Sequence, residues 1–195
     1  VFYAAMAGHP QLKPELARVA PWAYRVATPA LVQALPWDTL TSFRVLVFAT
    51  DVAALLLIFL ILKGLGFADR LCWIGLALYA GVFWALKFSF ASPAYIDAET
   101  QLVLLVIIYL TVHAYYLPLV AVLIVAGLQK EALAAFSVFA AVALIRQQGG
   151  RVTLSTGLLG AALVAAPFCT ILAVRSMVTT LTSIDTSKET EEQLR

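Results

Sequence analysis

Apolar residues run in long blocks along this chain, broken by short polar joints. The longest block, Leu117 to Arg146, is apolar almost throughout and carries the charged pair Lys130–Glu131 at its centre. A run this long and apolar belongs in lipid, where opposite charges are costly unless they sit at a surface or face a polar cavity. The pattern predicts two short helices of about 14 residues, each spanning roughly 21 Å, joined at an interface by Lys130 and Glu131. Four further apolar segments are predicted at about Phe43–Leu62, Leu71–Phe88, Leu102–Tyr115 and Leu154–Val174, the last with Pro167 as a kink. The fold class is therefore all-α, a polytopic bundle of about six hydrophobic segments.

The polar joints divide the rest. Residues 1–42 carry Pro10, Pro14, Pro21, Pro29 and Pro36, a density that breaks helices into short pieces. Thr28-Pro29 ahead of Ala30–Leu35 predicts a short capped helix. Trp22, Tyr24 and Trp37 suit a membrane–water boundary. This region is read as short helices lying on the membrane surface, residues 43–175 as the transmembrane domain, and residues 176–195 as a polar tail ending in KETEEQLR. Lys63–Arg70 and Arg146–Arg151 are basic turns. With six crossings they share one side, which the positive-inside rule makes cytoplasmic. Residues 1–42, the loop Ser89–Gln101 and the Lys130–Glu131 joint then lie outside.

Composition reinforces the class: 63% of the 195 residues are hydrophobic, 12% are charged and the mean hydropathy is +0.94. A formal net charge of +2 gives no reason to expect a nucleic-acid partner. Cys72 and Cys169 form no metal motif, and no disulfide between them is expected. The chain opens on Val1 without a cleavable signal pattern and reads as a processed protein or a piece of a longer one.

The polar residues inside or beside the apolar blocks are the candidates for chemistry. Asp51 lies within the first segment, where a carboxylate marks either a functional site or a protonated or paired structural aspartate. Arg44, seven residues earlier, shares its helix face and is a candidate partner. Lys87 sits where it can snorkel. Asp97 and Glu99 are nearby carboxylates suited to general-base work or metal binding, and equally to plain solvation, with Asp97 a candidate cap for the next helix. His113 reads as an interfacial histidine rather than a ligand.

Several stretches together resemble bacterial polytopic glycosyltransferases of the GT-C type, which use polyprenyl-phosphate sugars. Val1–Pro10 (VFYAAMAGHP) resembles the segment after the acidic residue of their first outer loop. Trp22–Leu31 (WAYRVATPAL) resembles their Tyr-Arg-x-x-x-Pro-x-Leu element. Phe43-Arg44, Leu65-Gly66-Phe67, Ile96-Asp97 and Gly127-Leu128-Gln129-Lys130-Glu131 fall where such chains carry Phe-Arg, Leu-Gly-Phe, an acidic second outer loop and Gly-Leu-x-x-Lys-Glu. The resemblance covers Val1 to about Arg146. It implies sugar transfer from a lipid-phosphate donor to an acceptor at the outer face of the bacterial inner membrane. Asp97 or Glu99 would assist as base or hold a divalent metal ion. Arg25, Arg44 and Lys130 would bind the donor phosphate, and Glu131 would orient Lys130. The family's first-loop catalytic acid would precede Val1, so the resemblance implies either a fragment of such an enzyme or a shortened relative that has lost catalysis. The alternative reading is a non-catalytic transmembrane subunit, packed in lipid against other membrane subunits of a larger assembly of respiratory or photosynthetic type. A small transporter fits less well, because few polar residues are available to line a path.

Overall fold

A computed structural model describes residues 2–8, 25–82 and 88–178. Trp22, Tyr24, Lys87, three of the N-terminal prolines (10, 14 and 21) and the tail from residue 179 lie outside the described residues. Within them the chain is helical, without a strand. The helices are α1 (Phe2–Met6), α2 (Ala27–Ala34), α3 (Thr39–Gly64), α4 (Asp69–Gly81), α5 (Phe88–Ala91), α6 (Asp97–Val112), α7 (Tyr116–Gln129), α8 (Phe136–Gln147) and α9 (Leu154–Met177). A 3-10 turn, Glu131–Ala135, joins α7 to α8.

Helix ends follow local chemistry. Asp38 caps α3, its Oδ1 accepting from the backbone N–H groups of Leu40 and Thr41 at 3.1 Å each. This cap starts the helix four residues ahead of the expected Phe43. At the other end Gly66 takes φ +87°. Its N–H bonds Lys63 O, and the N–H of Phe67 bonds Leu62 O. This paired closure needs a left-handed residue just past the helix, which glycine supplies without a Cβ clash. The Leu65-Gly66-Phe67 element is thus a helix stop. Thr153 caps α9 through Thr156 N at 3.2 Å.

In place of the expected six crossings, the described residues hold two candidate membrane-spanning helices. Only α3, with 26 residues, and α9, with 24, are long and apolar enough among the described residues to span a membrane. Their most apolar stretches are 28% and 11% buried, so neither is the enclosed core helix of a soluble domain. The other segments yield shorter helices: α6 has 16 residues, α7 14 and α8 12, while α4 is described for 13. At 1.5 Å per residue α7 covers about 21 Å, short of a hydrocarbon core of roughly 30 Å. The reason is the polar joint at Lys130, whose extended backbone (φ −161°, ψ 127°) stops α7. The predicted break in the longest apolar block is therefore present.

One core lies among α6, α7, α8 and α9 and is built from Ile107, Leu119, Leu123, Leu133, Leu144 and Leu163 with their neighbours. A second joins Tyr3 of α1, Val32 of α2 and Phe43 of α3 to Ile96, so the described N-terminal helices pack on the bundle. α7 packs most extensively on α9, and α3 on α6. α7 and α9 approach closely at Gly127. A Cβ there would sit 2.8 Å from the carbonyl oxygen of Pro167 and 3.1 Å from Thr170 Cβ.

Candidate functional site: a charged cluster at the α6–α7 end

Four charged side chains, widely separated in sequence, meet where α7 ends and α6 begins. Lys130 Nζ lies 3.0 Å from Asp97 Oδ1. Arg25 Nε lies 3.4 Å from Glu131 Oε2, and its Nη1 donates to the Tyr3 hydroxyl at 2.9 Å. The Arg25–Glu131 pair is the more enclosed, with Glu131 Oε1 buried and unpartnered. Lys130 and Asp97 remain partly open, so a ligand can reach them.

Buried neutral contacts brace this arrangement. Thr28 Oγ1 donates to Gln129 Oε1 at 2.9 Å, and Gln129 Nε2 donates to the carbonyl of Ile96 at 3.4 Å. One glutamine therefore ties α2, the end of α7 and the start of α6 together, one residue from Lys130 and one from Asp97. Thr28 is not the helix cap the sequence suggests. The N-cap of α2 is Val26, without a side-chain bond, and the Thr28 hydroxyl is used in tertiary packing. Asp97 does not cap α6 either. Ile96 occupies that position, and Asp97 opens the first turn, where a carboxylate is favoured by the helix dipole.

Asp97 and Glu99 do not act as neighbours. Residues two apart on a helix point to nearly opposite sides. Asp97 meets Lys130, whereas Glu99 is buried. Burial pushes the Glu99 carboxyl up to about 7, and the nearby charges of Asp51 and Asp97 push the same way. Among the described residues no three His, Cys, Asp or Glu side chains gather as a metal-binding group. Arg44 is exposed and makes no ion pair with Asp51, which is buried with Oδ2 unpartnered. Two helical turns, about 10.5 Å of rise, separate them. Among the described residues Arg44 shares in neither the Arg25–Glu131 nor the Lys130–Asp97 pair.

Sequence reasoning missed the roles of Tyr3, Thr28 and Gln129. A glutamine ending a run of apolar residues was the available signal for the last, since an amide at such a position needs partners. Comparison with family models, curated proteins and solved structures finds no match.

Proposed function

We propose that the chain is a membrane-embedded glycosyltransferase core of the GT-C type, moving a sugar from a polyprenyl-phosphate donor to an acceptor at the outer face of a bacterial inner membrane. The observation that carries this reading is the meeting of Arg25, Asp97, Lys130 and Glu131, contributed by the three stretches that resemble that family. The membrane setting is supported by α3 and α9, whose apolar surfaces are mostly uncovered by protein; lipid is the solvent that makes such exposure favourable.

In this reading Lys130 and Arg25 stabilise the negative charge that develops on the departing lipid phosphate. Their carboxylate partners hold both cations in place before the donor arrives. Glu131 positions Arg25 rather than Lys130, because the ion pairs cross over from the expected pattern. Asp97 is the carboxylate that an acceptor hydroxyl can reach and serves as the base. Glu99, turned into the bundle, is removed from that role.

The test is binding of a polyprenyl-phosphate sugar to the chain in lipid nanodiscs. Arg25→Ala and Lys130→Ala should each weaken binding at least tenfold, a loss of about 1.4 kcal/mol, with the helical content unchanged. Arg44→Ala should bind as the parent does. Unchanged affinity in both cluster variants removes the phosphate clamp and leaves the accessory-subunit reading.

A further inference from the structure

Away from the surface cluster, the α3–α6 interface encloses a second acidic feature. Asp51 of α3 is 4% exposed and Glu99 of α6 is 6% exposed. Among the described residues, Asp51 Oδ2 and both Glu99 oxygens have no hydrogen-bond partner. The two side chains are near enough for the charge of Asp51 to act on Glu99. It acts also on Tyr79 of α4, whose hydroxyl donates to Gln101 Oε1 at 2.6 Å. The remaining charge facing Glu99 is Asp97 on its own helix, already paired with Lys130. The described part of α5 (FSFA) brings no titratable group. Arg25 and Lys63 serve other carboxylates.

Among the described residues no cation lies beside these two carboxylates, and enclosing two negative charges near each other without one is costly. A calcium ion would take about six to eight oxygens. The site offers three unclaimed ones, and a proton needs far fewer. We infer that Asp51 and Glu99 form a proton-binding site between α3 and α6, in which the two carboxyls hold one proton between them. The titration behaviour of Glu99 given above agrees with this placement. The site links one of the two long apolar helices to the helix that begins at Asp97. Gain or loss of its proton therefore changes the charge within one helical turn of the surface cluster. The inference rests on burial and on unclaimed oxygens, and stands whether or not the chain transfers a sugar.

Infrared difference spectroscopy of the full chain in nanodiscs tests it, because a protonated carboxyl has a carbonyl stretch that carboxylates lack. A band present at pH 6 should fade with a midpoint near neutrality. It should titrate at lower pH in Asp51→Asn, which removes the like charge, and should be absent in the Asp51→Asn/Glu99→Gln double variant. If the double variant fails to fold, the midpoint of the Asp51→Asn protein decides. No band at pH 6, a band that survives in the double variant, or an unmoved midpoint in Asp51→Asn would overturn the proposal. Loss of the band on adding sodium or calcium at pH 6 would overturn it too, assigning the site to a metal cation.

Discussion

Gly127→Ala is expected to destabilise the chain by about 1–3 kcal/mol, although alanine is ordinarily the better helix residue by roughly 1 kcal/mol. The added methyl group would meet the Pro167 carbonyl oxygen at 2.8 Å and Thr170 Cβ at 3.1 Å. The first of these is backbone, held within α9, and cannot rotate away. The proline matters to this contact. Pro167 has no N–H to close its own helical turn, and α7 packs against the helix there. Gly160→Ala supplies the opposite sign. It also lies within α9, but a Cβ there meets nothing within 4 Å, so it should stabilise by up to about 1 kcal/mol. Thermal unfolding of both variants in one detergent compares them directly; shifts of the same sign would show that the α7–α9 approach is looser than described. Because Lys130 follows Gly127 by three residues, Gly127→Ala should also weaken the donor binding proposed above, whereas Gly160→Ala should leave it intact.

The same glycine shows what was legible in the sequence. Gly127-Leu128-Gln129-Lys130-Glu131 stood out as a motif, and the break at Lys130 followed from its charge in an apolar run. The space requirement at Gly127 did not, since it depends on a helix some forty residues away. The all-helical class followed from block hydrophobicity, and the turn after α3 from the polar stretch Lys63–Arg70. Crossing number was harder, because hydropathy counts apolar residues without knowing where capping and polar joints stop a helix. Asp97 and Glu99 were grouped by proximity along the chain, yet the 100° turn per residue sets them on opposite sides of α6. Arg44 and Asp51 were paired by the same periodicity, but shared facing does not close two turns of axial distance. The partners of Arg25 and Lys130 were beyond sequence reach. They depend on Gln129 bonding to Thr28 and Ile96, contacts without a local signature.

Glu99→Gln should flatten the fall in stability expected of the parent chain between pH 4.5 and 7. Glu99 titrates from the ordinary 4.5 when unfolded and at about 7 in the fold. Below pH 4.5 the carboxyl is neutral in both states and burial costs nothing extra. Between 4.5 and 7 the unfolded chain ionises while the fold keeps its proton, so stability falls as pH rises. Above 7 both states are ionised and the penalty levels off at up to about 3 kcal/mol. Burial is the main cause, and the side chain is nearly fully enclosed, so solvent screening recovers little of this penalty. Glutamine cannot ionise and removes Glu99's share of the slope. It also leaves a buried amide to be satisfied, so the gain above pH 7 should be smaller than the full penalty. Apparent melting temperatures across pH 4 to 8 decide the matter. Parallel curves for the parent and Glu99→Gln would mean that Glu99 ionises freely, reached by water that the packing of α3 on α6 should exclude.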